Sequence, residues 1–188
     1  MSKPVSENKT TMTPAQVKIN HALERLLQKR NLDDIYVSDL IEDAGISRKT
    51  FYRHYKDKYD LANQYFSAFF AETFAKITFG KDWESALLEY LEICEDKAAI
   101  LKHAYSSYDI NGLRAYDIDL TRKTYEAFLL SKNADLNLPV MKFAIEIAAR
   151  GGTEMIIEWL KNGMQEDKNT LIMFLKRTLP QDILYFVE

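Results

Sequence analysis

Arg48, Lys49, Arg53, Lys56 and Lys58 crowd into residues 45–58, with Phe51, Tyr52 and Tyr55 interleaved and Asp57 as the single acid. Guanidinium and ammonium groups hold phosphate oxygens. An arginine or lysine can donate to O6 and N7 of a guanine, and threonine or tyrosine hydroxyls add polar contacts. Such a set can recognise a polyanion with readable edges, and nucleic acid fits best. A charge run is more often a solvated helix face, so the elements around it must decide.

Those elements are short and well punctuated. Thr13, Pro14 and Gln16 form a capping signal for a first helix whose apolar face is Ala15, Ile19, Ala22, Leu23 and Leu26. A second helix is expected over 37–44, with Val37, Leu40, Ile41 and Ala44 inward. Tyr36 is a poor cap for it, and Ser38 is expected to substitute in part. Gly45 breaks that helix and Ser47 caps a third over 48–55. Two helices joined by a short glycine-containing turn make a helix-turn-helix, whose second helix enters a DNA major groove. Phe51 and Tyr55, four apart, should face the core, leaving Arg48, Lys49, Tyr52, Arg53 and His54 outward.

Charge is distributed to match. The 188-residue chain carries a net charge of −3, yet residues 1–60 hold 11 Lys+Arg against 9 Asp+Glu and the remainder 14 against 19. A compact basic patch on an acidic body suits one module that binds DNA. The length allows one large domain or two small ones. Scarce Gly and Pro and no long alternating pattern favour an all-helical fold. The single cysteine, Cys94, excludes a disulfide framework within the chain and suits a reducing cytoplasm. No apolar run approaches the roughly 20 residues of a membrane span. Residues 1–12 read as a disordered polar tail whose Lys3 and Lys9 could touch phosphate.

Beyond the basic stretch, Asp57 caps a helix expected over 58–77, and Asp82 caps another over 83–96. Further helices are expected over 98–107, from after 112 to 131, over 139–162 and over 167–178, about nine in all. The helix over 139–162 is apolar on so many sides that it needs cover on more than one. Gly151 and Gly152 in its middle cost about 1 kcal/mol each relative to Ala, a cost that a close helix–helix approach would offset. After Pro180, the last eight residues are apolar enough to dock.

The text Val37-Ser38-Asp39-Leu40-Ile41, Ala44-Gly45-Ile46-Ser47, Thr50-Phe51-Tyr52-Arg53-His54-Tyr55 and Lys58 resembles the TetR/AcrR family of transcriptional regulators over about residues 13–61. Gly151-Gly152 to Trp159-Leu160, followed by Gly163, resembles the C-terminal region of a subgroup that includes dihydroxyacetone kinase operon activators. The resemblance implies a helix-turn-helix DNA-binding domain over 13–58 and a regulatory and dimerisation domain over 59–188. It implies that Arg48, Lys49, Thr50, Tyr52 and His54 meet bases and phosphates, with Ser47 and Arg53 beside them. By the same resemblance Ser38 makes a second-helix contact and Lys58 binds phosphate.

The family further implies a cytoplasmic homodimer on a palindromic operator, joined by the last two helices, here through Ala148, Gly151, Gly152, Met155, Trp159, Leu171, Phe174 and Leu175. It implies a repressor whose DNA affinity answers to a small molecule. The aromatic candidates for that site are Phe70, Phe74, Trp83, Tyr90, His103, Tyr105, Tyr108, Tyr125, Phe128 and Trp159. A TetR-like activator, or a regulator answering to a protein partner, is the alternative.

An enzyme finds little support. His21, His54 and His103 are scattered without a metal-ligand spacing, and Asp109, Asp117 and Asp119 fit no calcium loop and read as surface charge. No glycine-rich phosphate loop or nucleophile elbow occurs. No cofactor or metal is implied.

Overall fold

A computed structural model describes residues 12–188; the expected tail, with Lys3 and Lys9, otherwise lies outside the described residues. Among those described there is no strand. Ten α-helices run α1 (Pro14–Leu27), α2 (Val37–Ala44), α3 (Arg48–His54), α4 (Lys58–Glu72), α5 (Trp83–Asp96), α6 (Ala98–Ala104), α7 (Leu113–Ser131), α8 (Pro139–Lys161), α9 (Lys168–Thr178) and α10 (Gln181–Val187). Two 3-10 turns, Leu32–Asp34 and Phe74–Phe79, join α1 to α2 and α4 to α5.

Local chemistry accounts for most boundaries. The Gln16 N–H donates to Thr13 Oγ1 at 3.3 Å and the Thr13 N–H returns a bond to Gln16 Oε1 at 3.0 Å, a closed capping box. At α2 the helper is Asp39 and not Ser38, because its Oδ2 accepts the Tyr36 N–H at 3.0 Å. Gly45 follows α2 at φ 60°, ψ 45°, a left-handed cap that a side chain would strain, and the Ile46 N–H closes back to the Ile41 carbonyl at 3.2 Å. Ser47 Oγ then accepts the Thr50 N–H at 3.1 Å to start α3, and Asp57 Oδ1 accepts the N–H groups of Tyr59 and Asp60 to start α4.

α4 is shorter than the expected 58–77. The Thr73 hydroxyl donates to the Phe69 carbonyl at 2.7 Å, and the backbone at Thr73 leaves the helical region before tightening into the 3-10 turn. The docked C-terminal segment is itself helical, making ten α-helices among the described residues where about nine were expected, and it anchors through fully buried Ile183.

Ile19, Leu23, Leu40, Phe51 and Leu61 are fully buried and form the core shared by α1 to α4. This core runs without interruption into that of α5 to α10, because α4 contributes Leu61 at its start and Phe70 near its end. α7 and α8 pack on each other as the longest pair, and α9 and α10 close over α5 and α8. Among the described residues Gly151 and Gly152 meet nothing that a Cβ would disturb, so the close approach expected there is not made by the described helices of the chain. Asp117, expected at the surface, is buried within α7 at 4% exposure.

Candidate nucleic-acid interface and cavity

The third helix divides as its spacing requires. Phe51 and Tyr55 point inward, and the Tyr55 hydroxyl donates to Asn20 Oδ1 of α1 at 3.2 Å, tying α3 to the head. Arg48, Lys49, Tyr52 and Arg53 are exposed, and none of the three cations forms an ion pair with a described residue. Tyr52 packs edge-on against buried Phe51, ring centres 5.4 Å apart. Ser38 and Ser47 are also exposed.

The other expected contacts are more constrained. The Thr50 hydroxyl is half-buried and hydrogen-bonds the Ser47 hydroxyl at 2.8 Å. His54 is half-buried, and its Nε2 is shut away from solvent with no hydrogen-bond partner among the described residues, so that nitrogen is not offered outward. Lys58 Nζ donates to the Asp33 carbonyl at 2.7 Å and lies 5.2 Å from the Tyr59 ring centre. No carboxylate among the described residues pairs with it, which leaves two of its three donors for an anion.

A cavity of about 350 Å³ lies in the body, walled by α4, the second 3-10 turn, α5, α7, α8 and α9. Six of the ten aromatic candidates, Phe70, Phe74, Trp83, Tyr90, Tyr105 and Tyr125, line it. The remaining four lie elsewhere. His103 reaches the Leu27 carbonyl of α1, and Tyr108 is exposed under the Arg114 guanidinium. Phe128 is buried further along α7, and Trp159 lines a separate groove between α8 and α9, its indole N–H donating to the Glu166 carbonyl at 2.9 Å.

Sequence reasoning missed the polar members of the cavity: Asp117, Thr121, Thr153 and, on α9, Thr178. Their register carried the signal. Leu113, Asp117, Thr121 and Thr124 follow one another by three or four along α7, so Asp117 occupies the inward face. The Tyr105 hydroxyl donates to Asp117 Oδ2. Burial, only partly countered by that bond, pushes the Asp117 carboxyl up to about 7. Burial likewise raises the Tyr125 phenol, whose oxygen accepts the Trp83 indole N–H at 3.1 Å.

Of the expected dimer residues, Ala148, Trp159, Leu171 and Leu175 are buried within this chain, Gly152 is half-buried, and Gly151, Met155 and Phe174 are exposed. Val140, Phe143 and Ile147, not anticipated, extend that exposed apolar stripe along α8, and Met173 adds to it on α9.

Several polar contacts join head and body. Glu24 of α1 accepts from Lys97 at 2.8 Å and from the Tyr65 hydroxyl. Within the body, Asn63 of α4 donates to the Asn111 carbonyl at 2.9 Å in the turn before α7. Among the described residues no group of His, Cys, Asp and Glu could hold a metal ion, and no helix is long and apolar enough to cross a membrane.

Residues 19–65 match the family model of bacterial regulatory proteins of the tetR family, and residues 81–181 match that of a transcriptional regulator C-terminal region. A comparison with curated proteins found no match. Among solved structures, one titled dihydroxyacetone kinase operon activator DhaS is similar at 20% identity and a TM-score of 0.59, over 88% of this chain and 94% of its own. The fatty acid degradation regulator FadR from Bacillus halodurans is similar at 15% identity and a TM-score of 0.56, over 90% of this chain and 96% of its own. At these identities the likenesses carry the fold alone, but the family models cover the basic head and more than half of the chain. With its helix-turn-helix head and helical body, this chain belongs to the TetR family of DNA-binding transcriptional regulators.

Proposed function

We propose that the protein is a ligand-responsive repressor acting in the cytoplasm. It binds a palindromic operator as a homodimer through a head over 13–58 and is controlled from a body over 59–188. The observation that carries this reading is the path of α4. The helix begins at Lys58, beside α3, and carries Phe70 into the cavity wall. An occupant that shifts Phe70 acts on the same rigid element that sets the position of the recognition helix, a two-state coupling of the kind allostery requires.

The DNA contacts assigned are Arg48, Lys49, Tyr52 and Arg53 on α3, with Thr50 and His54 as lesser members, Ser38 and Ser47 at the helix starts, and Lys58 on phosphate. Support comes from the exposure of the cations and from the absence of ion pairing by described residues. One protomer offers one recognition helix. The exposed stripe of Val140, Phe143, Ile147, Gly151 and Met155 on α8, with Phe174 on α9, supports pairing with a second copy. A two-fold dimer then reads two half-sites about one helical turn apart. The solved structure named an operon activator shares fold at 20% identity, which does not carry the sign of regulation.

The experiment is selection of bound duplexes from fragmented genomic DNA, followed by gel shift, sedimentation of the complex and a reporter driven from the selected site. A palindromic site, two chains per duplex and silencing of the reporter are expected. An absence of preferred sequences would refute operator recognition, and activation of the reporter would reverse the sign.

A further inference from the structure

We infer that the cavity takes a small lipophilic organic cation, a protonated amine or quaternary ammonium on a hydrocarbon body, with Asp117 as its counter-ion; the assignment rests on the proposal that this cavity is the effector site. Among the described residues its wall contains one carboxyl group and no lysine, arginine or histidine. Asp117 is 4% exposed, receives a single hydrogen bond, from Tyr105, and enters no ion pair among the described residues. The other titratable groups near it, Tyr90 and Cys94 of α5, are not basic. A buried carboxylate without a cation is costly, and a charged ligand that enters such a space must supply the missing sign.

The rest of the wall suits the same occupant. Phe74 sits at the centre of an aromatic cluster, 5.5 Å from Phe70, 6.2 Å from Trp83 and 5.9 Å from Tyr125, and Phe70 continues it to Tyr90 at 5.3 Å. Aromatic faces attract a cation within about 6 Å, most strongly where water is excluded. The Trp83 indole N–H is already given to Tyr125, which leaves the ring and not its donor for the ligand. An anion would meet these ring faces and an acid with no basic partner in reach. The volume of about 350 Å³ places the occupant at the small end of ligand sizes.

The test uses three probes of one shape and different charge: 4-phenylbutylamine, 4-phenylbutanol and 4-phenylbutyrate. Each is titrated into the full chain at pH 7.5 by calorimetry. The amine should bind at least roughly tenfold more tightly than the alcohol, and the carboxylate should not bind measurably. In Asp117→Asn the advantage of the amine over the alcohol should vanish while the alcohol is unaffected. A second readout needs no variant: near pH 7 the amine should displace the proton from Asp117, seen as buffer-dependent heat, whereas the alcohol should release none. Carboxylate binding equal to that of the amine, no amine binding at millimolar concentration, an advantage that survives Asp117→Asn, or no proton release each overturns the assignment. Amine binding that leaves operator affinity unchanged would refute the effector role and leave the charge preference standing.

Discussion

Lys97 at the start of α6 lies 2.8 Å from Glu24 near the C-terminal end of α1, and Glu24 also accepts the Tyr65 hydroxyl of α4. Three elements from head and body thus meet on one carboxylate. Burial acts to raise the Glu24 pKa, but the Lys97 ammonium and the Tyr65 hydroxyl outweigh it and hold the group below its ordinary value. Lys97→Met should therefore lower unfolding stability by about 1 kcal/mol at pH 7, measured by urea denaturation. Because the folded pKa is depressed, that stability is present above the unfolded value of about 4.3 and disappears as pH falls through the folded one. A difference between variant and wild type that persists unchanged at pH 3 would contradict this account.

Arg48→Ala and Tyr52→Ala should abolish specific operator binding in a gel shift without changing the melting temperature by more than a few degrees, since both side chains are exposed. Lys58→Ala should act differently. It should weaken binding to all sequences alike and reduce the slope of log affinity against log salt by about one unit. A loss confined to one base position would count against a phosphate role.

Asp117 should make the protein less stable as pH rises. Its folded pKa is about 7 and its unfolded value about 3.9. The raised value means the folded state keeps its proton longer, so the penalty accumulates between about pH 4 and pH 7 and is constant above. Asp117→Asn should gain stability over wild type at pH 8, by at most about 4 kcal/mol, with the gap closing toward pH 4. Thermal melts across that range check the sign; a gap that widens on acidification would be the wrong one.

Phe143 is 68% exposed on α8, the most exposed member of the apolar stripe there. Phe143→Glu should convert a dimer to a monomer at micromolar concentration in sedimentation velocity, while the folded monomer keeps its helical circular dichroism. Operator affinity should drop with it, because the two half-sites are then bound independently. A wild-type protein that sediments as a monomer would remove the basis for this prediction.

The sequence by itself determined the head. Thr13, Gly45, Ser47 and Asp57 act on neighbours within a few residues, and the four-residue step from Phe51 to Tyr55 assigns an inward face wherever the helix is placed. These are short-range effects, so the text displays them. Tertiary structure decided what depends on how helices are rotated and stacked. It turned Asp117 inward against Tyr105, sent His103 to α1 and Trp159 to the α8–α9 groove, and shut His54 Nε2 away from solvent. It also left Phe143 and Ile147 uncovered while burying Ala148 beside them. An apolar or ionisable residue at helical spacing announces that it lies on a face. Only the packing of the remaining helices decides whether that face meets a neighbour, a cavity or solvent.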